Sequence, residues 1–139
     1  MIELRLPYPP SANKLWRRSG KTIHKSDEYT DWLRKAGWHV MQQRQGGVSG
    51  PYKISVQAVR PDKRKRDLDN LIKPISDLLK SVGTVDDDSL CEMLSMRWVT
   101  AGEGVTVRVE RAAIEESEAP DTWQSLASIT NRIFAGVKP

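Results

Sequence analysis

Residues 68–83, which read LDNLIKPISDLLKSVG, decide the fold because they carry the clearest helical pattern in the chain. Proline lacks an N–H group and is best tolerated in the first helical turn, so the helix begins only a few residues before Pro74. Asp67 and Asp69 are therefore predicted at or just before its N-terminus, and Gly83 ends it. Its apolar side chains recur every three or four residues and share one helical face: Leu68, Leu71, Ile72, Ile75, Leu78, Leu79 and Val82.

Segments that alternate apolar and polar residues flank this helix and predict β-strands. A second helix begins near Ser26, a good N-cap residue followed by two acids, and ends by Gly46 and Gly47, while residues 7–25 before it are predicted as a loop. This order of elements predicts an α/β (α+β) fold in which helices pack on a small mixed β-sheet. The strands cover residues 2–6, 52–59, 94–100 and 105–111, and the last two are predicted to form a hairpin around residues 101–104.

The chain divides into a body, residues 1–111, and a C-terminal extension, residues 112–139. At 139 residues it is long enough for one domain with a hydrophobic core and too short for two. The extension begins as an acidic linker and is predicted to end in an amphipathic helix over roughly residues 121–134. The apolar residues of that helix are Trp123, Leu126, Ile129, Ile133 and Phe134.

Composition narrows the classes of function. No apolar run is long enough to cross a bilayer and the N-terminus has no secretion signal, so no membrane partner is expected. Cys91 is the only cysteine, which excludes an internal disulfide and favours a cytoplasmic location. The formal net charge is +4, and the positive charge belongs to the body because the extension has more acids than bases. A basic body favours a polyanion such as nucleic acid as partner.

Residues 63–69, KRKRDLD, place four consecutive cations directly before Asp67 and Asp69. Carboxylates are the ligands that Mg²⁺ accepts, and bound Mg²⁺ offsets charge on a phosphodiester and activates water. The two aspartates can converge on one cation only if the helix starts after them, since residues two apart on a helix diverge by roughly 200°. The cations would hold a nucleic-acid backbone beside acids that repel it. Three aspartates at residues 86–88 and Lys73, on the helical face of Asp69, complete the candidate site.

Each of these features also has an ordinary structural explanation. The basic run suits a solvated loop, Asp69 suits a helix N-cap, and Asp67 suits an ion pair with Arg66. Residues 86–88 suit an acidic turn, and Lys73 suits an ion pair with Asp69, four residues before it. Their occurrence together favours a metal-dependent site. An aspartate-nucleophile phosphatase is disfavoured, because its D-x-D motif should follow a buried apolar strand rather than four cations.

Residues 63–90, KRKRDLDNLIKPISDLLKSVGTVDDDSL, resemble the core motif of the RusA-type Holliday junction resolvases. In that motif a basic run is followed by D-L-D-N-L-x-K, then D-x-L, a glycine and a D-D turn. Residues 7–16, PYPPSANKLW, are similar to the P-P-S-x-N loop that follows the first strand in the family. The resemblance covers roughly residues 2–111.

The resemblance implies a homodimeric, Mg²⁺-dependent endodeoxyribonuclease, with Mn²⁺ as an alternative cation, from a bacterium or a phage. Its partner would be branched DNA, and it would resolve four-way (Holliday) junctions by paired symmetric nicks during recombination and repair. The metal ligands would be Asp67, Asp69 and Asp88, with Asp87 left open as the third ligand, and Lys73 would join them as a catalytic residue. The predicted DNA contacts are Lys14, Arg17, Arg18, Lys63, Arg64, Lys65, Arg66 and Asn70.

Two other functions fit the same residues. One is a non-catalytic basic DNA-binding module whose acids serve only as caps and ion-pair partners. The other is a metal-dependent nuclease that acts on RNA, flaps or replication forks, since no short motif encodes the substrate. Among the tryptophans, Trp16 lies beside three cations and is a candidate for stacking on DNA bases. The tryptophans predicted in the core are Trp32, Trp38 and Trp98.

Overall fold

The described chain is an α+β fold, as predicted. The computed structural model describes residues 1–113, and the helix predicted at residues 121–134 lies outside them. The helices are α1 (Asp27–Gln43) and α2 (Ile72–Ser81). The strands are β1 (Ile2–Leu6), β2 (Trp16–Ser19), β3 (Thr22–Lys25), β4 (Tyr52–Val59), β5 (Cys91–Val99) and β6 (Val105–Arg111). Three short 3₁₀ turns cover Ala12–Lys14, Leu68–Leu71 and Asp88–Leu90.

Four of the strands form a mixed sheet in the order β1-β6-β4-β5. β6 is antiparallel to both β1 and β4, whereas β4 and β5 are parallel. Along β1, β4 and β6, buried residues alternate with residues that are half-buried or exposed. The hydrophobic core therefore lies between the two helices and one face of the sheet. No helix within residues 1–113 has the length and apolar character needed to cross a bilayer. The buried strand residues are Ile2, Leu4, Leu6, Tyr52, Ile54, Val56, Ala58, Val105, Val107 and Val109.

The predicted hairpin of residues 94–111 is wrong, because β4 lies between β5 and β6. The burial of β6 explains this order. Val105, Val107 and Val109 are all buried, and the strand has a neighbour on each side, whereas β5 is largely exposed and takes the edge. The connection between them crosses the end of β4, where the carbonyl of Gly104 accepts the N–H of Val59 at 3.0 Å.

Residues 16–25, predicted as part of a loop, instead form an antiparallel ribbon of β2 and β3. The pairing runs from Trp16 opposite Lys25 to Ser19 opposite Thr22. Every residue of both strands is exposed. Apolar and polar residues alternate only in a strand that buries one face, so this ribbon carries no strand pattern in its sequence.

Helix α1 begins at the predicted position. The hydroxyl of Ser26 accepts the N–H of Tyr29 at 3.1 Å and donates to the carbonyl of Lys14 at 2.6 Å. Trp32 is buried, as predicted, and Trp98 in β5 is half-buried. The prediction for Trp38 is wrong, because its side chain is 60% exposed. It lies about half a helical turn away from the buried face of α1 and so points toward solvent.

Helix α2 begins after the 3₁₀ turn Leu68–Leu71, so Pro74 lies in its first turn, as predicted. Pro74, Ile75, Leu78 and Leu79 are buried against the sheet and α1. The helix and its flanking turns carry the chain from β4 to the parallel strand β5, a connection that parallel neighbours require. The aspartates that precede and follow α2 are therefore held at the two ends of one crossover.

Tyr52→Phe is expected to alter stability mainly at alkaline pH. Burial raises the pKa of Tyr52 from its usual 10.0 to about 12, with smaller contributions from Cys91 and Asp88. The folded state favours the neutral phenol of Tyr52. Its contribution to the free energy of unfolding is therefore complete below the pKa that Tyr52 has in the unfolded chain, and is lost as pH rises through the pKa that it has in the folded protein. At about 1.4 kcal/mol per pKa unit, the free energy of unfolding of the wild type falls by up to ~3 kcal/mol relative to that of the variant as pH rises.

Urea unfolding of both proteins at several pH values from about 8 to about 12 measures this difference. Tyr29, whose pKa burial also raises, is present in both proteins, so its contribution cancels. A difference in unfolding free energy that stays constant over this range would contradict the assignment.

Candidate active site

Asp67 and Asp69 lie on the irregular backbone that precedes α2. Asp67 is extended, with φ −85° and ψ 124°, and Asp69 lies within the 3₁₀ turn Leu68–Leu71. Leu71 anchors this turn in the core, while both aspartates are exposed. Neither carboxylate forms a hydrogen bond or an ion pair with another side chain or backbone group of residues 1–113. They are therefore neither helix caps nor partners of the preceding arginine.

The three aspartates of residues 86–88 have three different surroundings. Asp86 accepts the N–H of Gly50 at 3.0 Å and so ties the loop before β4 to the end of the crossover. Asp87 caps the 3₁₀ turn Asp88–Leu90 and pairs with Lys80 at 2.6 Å, and this hydrogen bond lowers the pKa of Asp87 well below its usual range. Asp88 is half-buried, and its Oδ2 lies 3.9 Å from the Nζ of Lys73. Asp86 and Asp87 thus stabilise the local backbone, whereas Asp88 lies near Lys73.

Lys73 lies in the first turn of α2 and is held by a second carboxylate. Its Nζ donates to Oδ1 of Asp77 at 2.9 Å, and this hydrogen bond raises the pKa of Lys73. The other oxygen of Asp77 accepts the hydroxyl of Tyr29 at 2.7 Å. No role was predicted for Asp77 from the sequence, although its position four residues after Lys73 on one helix indicates a side-chain contact.

Three elements bring these residues toward one region of the surface. The turn Leu68–Leu71, which carries Asp69 and follows Asp67, contacts both α2 and β5. The turn Asp88–Leu90 contacts α2 as well. The 3.9 Å separation between Lys73 and Asp88 links the first turn of α2 to the turn Asp88–Leu90.

The chemistry of this donor set fits a hard divalent cation. Asp67, Asp69 and Asp88 offer only carboxylate oxygens, which Mg²⁺ and Mn²⁺ accept. Within residues 1–113, however, no three acidic, histidine or cysteine side chains lie close enough together to form a complete metal site. The carboxylates of Asp67 and Asp69 are exposed and lack partners in this part of the chain, so both are accessible to a cation.

The basic run, residues 63–66, is organised by an acid to which no role was predicted from the sequence. Asp62 pairs with Arg66 at 2.7 Å and accepts the N–H of Arg64 at 3.0 Å. The hydrogen bond from Arg66 lowers the pKa of Asp62 to about 2. Lys63 and Lys65 are exposed and form no ion pair within the described residues. The arginines of the run thus shape the loop, and its lysines project from it.

The β2–β3 ribbon begins beside the aspartates, because the 3₁₀ turn Ala12–Lys14 that leads into it contacts the turn Leu68–Leu71. No acidic residue occurs between residues 4 and 26. Trp16 is 48% exposed and packs edge-on against Tyr29, with ring centroids 6.4 Å apart. None of the ribbon cations forms an ion pair within residues 1–113. The same holds for Lys14, in the turn that leads into the ribbon. Lys14, Arg17 and Arg18 were predicted from the sequence, whereas Lys21 and Lys25 were not.

The candidate residues therefore form two neighbouring surfaces. One consists of the acidic site with Lys73 at the beginning of α2, and Asn70, half-buried, lies in the turn between its aspartates and the helix. The other is the positively charged β2–β3 ribbon. Exposed carboxylates can supply ligands to a divalent cation, and a basic ribbon can bind phosphates, so together the two surfaces suit a nucleic-acid backbone.

Comparison with known proteins finds a family match and several similar proteins. Residues 7–110 match the family described as endodeoxyribonuclease RusA. A crossover junction endodeoxyribonuclease RusA from Aquifex aeolicus (strain VF5) is 32% identical over 109 residues, which cover 76% of this chain and 85% of the relative. The proteins of that name from Enterobacteria phage HK97 and Escherichia coli (strain K12) are 35% and 36% identical. Those matches cover 60% and 62% of this chain and 70% and 72% of the relatives.

The family match spans both the ribbon and the crossover that carries the aspartates, and so includes both surfaces described above. The relatives show identity of 32–36% over most of their own length. The chain therefore belongs to the RusA family of endodeoxyribonucleases.

Proposed function

We propose that this protein resolves four-way DNA junctions by hydrolysing phosphodiester bonds at the acidic site. The observation that carries the proposal is the exposure of Asp67 and Asp69, which have no partner within residues 1–113, on the turn that leads into α2. In the first turn of that helix, Lys73 lies 3.9 Å from Asp88. The choice of a four-way junction as substrate is supported by relatives that are named crossover junction endodeoxyribonucleases. The basic ribbon beside this site supports a DNA partner.

Asp67, Asp69 and Asp88 would hold Mg²⁺, with Mn²⁺ as an alternative. A cation bound there would offset charge on the phosphate and activate water. Asp88 is the preferred third ligand, because Asp87 is already engaged by Lys80 and by Ser89. Lys73 places a positive charge beside the acids, where it would contact the scissile phosphate and stabilise its developing charge.

The DNA backbone would lie along the ribbon and the basic loop. Lys14, Arg17 and Arg18 extend from or lead into the ribbon, and all are exposed. Lys63, Arg64 and Lys65 are exposed on the loop, whereas Arg66 is partly engaged by Asp62. Asn70 lies beside Asp69 and would add an amide contact. Such contacts position the duplex without reading its sequence.

A homodimer completes the proposal. A four-way junction has approximate two-fold symmetry, so a two-fold dimer could place one acidic site on each of two opposed strands and make paired nicks. The relatives come from bacteria and a phage, and their names refer to crossover junctions. We propose on this basis a role in recombination and repair of DNA in the bacterial cytoplasm.

The decisive measurement compares cleavage of an end-labelled synthetic four-way junction with cleavage of a linear duplex of matched sequence, in Mg²⁺ and in EDTA. We expect symmetric nicks in the junction alone, in Mg²⁺ alone, because the acids need a cation to approach a phosphate. Binding without cleavage under either condition would instead identify a DNA-binding module. Equal cutting of the linear duplex, or a preference for flaps, forks or RNA, would identify a nuclease with a different substrate.

A further inference from the structure

Asp77 bridges Lys73 to the interior of the protein. One carboxylate oxygen accepts the ammonium of Lys73 at 2.9 Å, and the other accepts the hydroxyl of Tyr29 at 2.7 Å. Because each oxygen has its own donor, the plane and the direction of the carboxylate are set by two contacts. Asp77 lies one turn after Lys73 on α2, and its side chain is 25% exposed. An ordinary exposed pair at this spacing has no such second anchor.

Tyr29 is a rigid anchor for this bridge. Its residue is fully buried, and its backbone N–H is bound by the side chain of Ser26 at the start of α1. The base of the ribbon closes over its ring, with the edge of Trp16 at a centroid distance of 6.4 Å and the ammonium of Lys25 at 5.8 Å. The hydroxyl therefore has little freedom to leave Asp77.

Lys73 has two acids within reach, and their distances differ. Its Nζ lies 2.9 Å from Asp77 and 3.9 Å from Asp88. A lysine side chain has many rotamers and orders itself only at an entropic cost. Without Asp77, the ammonium would be attracted to Asp88, where it would neutralise a carboxylate that the proposed site needs for its cation.

We propose that Asp77 and Tyr29 are positioning residues that hold the ammonium of Lys73 beside Asp88, aimed at the scissile phosphate and withheld from a full ion pair with Asp88. This inference rests on the proposed function, in which Lys73 is a catalytic residue. Asp77 and Tyr29 themselves touch neither the DNA nor the cation. Their effect on cleavage is therefore exerted only through Lys73.

The first test is Asp77→Ala, which removes both hydrogen bonds. We expect kcat for junction cleavage to fall about thirtyfold, because small misplacement of a catalytic group costs up to about 10²-fold. Junction affinity measured in EDTA should stay within about twofold of wild type, since the residue does not contact DNA. Asp77→Asn keeps the shape; its one amide oxygen can still accept from Lys73, while its NH2 can only donate to the phenol oxygen of Tyr29, so it should recover part of kcat. Tyr29→Phe should lower kcat by about fivefold.

The second test asks whether Asp77 acts through Lys73. Lys73→Met alone should lower kcat by about 10² or more. If Asp77 only positions Lys73, the double variant should cleave at the rate of Lys73→Met within about twofold, because the two effects are not additive. Additive losses in the double variant would overturn the proposal, as would a full rate in Asp77→Ala.

Asp31→Ala is the matched control, because it removes another exposed ion pair, with Arg34 at 2.6 Å on α1, without approaching the acidic site. It should leave kcat and junction affinity unchanged, and thermal melting of all variants shows that each is folded. If Lys73→Met cleaved at the wild-type rate, the proposed role of Lys73 would fail and the inference with it. If Lys73→Met lost activity and Asp77→Ala did not, only the inference would fail.

Discussion

Asp69→Asn should lower the rate of junction cleavage by at least about a thousandfold while leaving junction binding intact or tighter. The carboxylate is exposed and has no partner within residues 1–113, so the amide replaces it without disturbing a hydrogen bond or an ion pair. An amide is a much poorer ligand for a divalent cation, which accounts for the loss of rate. Removing one negative charge also weakens repulsion of the phosphates, which accounts for the retained or tighter binding.

Single-turnover cleavage in Mg²⁺ and gel-shift titration in EDTA measure the two quantities separately. Asp88→Asn should behave like Asp69→Asn. Asp87→Asn is the matched control from the same triplet, and it should retain most of the rate because Asp87 serves Lys80 and the following turn. Cleavage by Asp69→Asn at the wild-type rate would refute the metal assignment. Loss of cleavage in Asp87→Asn with retention in Asp88→Asn would move the third ligand to Asp87.

Replacing Arg17, Arg18 and Lys21 together by glutamine should weaken junction binding about a hundredfold at low salt and should reduce its salt dependence. Each phosphate contact contributes about 0.9 to the slope of log affinity against log salt concentration, so losing three lowers the slope by about 3. These side chains are exposed and form no ion pair within the described residues, so their removal should not destabilise the fold. Fluorescence anisotropy over a salt series measures affinity and slope together.

The same change in charge at another surface is the control. Arg34, Lys35 and Arg44 lie on or just after α1 and are exposed, and replacing all three by glutamine should leave the slope nearly unchanged. An equal effect of the two triple variants would show that net charge, rather than the ribbon, governs binding. A ribbon variant with the wild-type slope would remove the ribbon from the DNA interface.

The elements that could be predicted from the sequence are those that bury one face. Helix α2 follows from its apolar spacing, and the position of Pro74 correctly implied that Asp67 and Asp69 precede it. Helix α1 follows from Ser26 and its buried face, and strands β1 and β4 follow from their alternation. In each case local pattern and burial agree, which is why sequence alone was sufficient.

The elements that could not be predicted depend on partners distant in sequence. The alternation of residues 105–111 indicates a strand but not its neighbours, so the placement of β4 between β5 and β6 was missed. The β2–β3 ribbon buries neither face and lacks a periodic signal. The bridge from Tyr29 to Asp77 joins residues 48 positions apart, and spacing within one helix does not reveal such a contact.

The crossover between β4 and β5 also bears on where the chain can change in length. The proposed ligands and Lys73 all lie within residues 67–88, on one connection whose two ends are tied to paired strands. An added or deleted residue there would shift Asp88 relative to the aspartates before α2. The ribbon tip at Gly20 and Lys21 and the turn at residues 101–103 are exposed and lie outside that connection. Both tips leave the spacing of the catalytic groups intact, but the ribbon tip carries proposed DNA contacts. Insertions, fused domains and affinity tags are therefore best accommodated at the turn of residues 101–103.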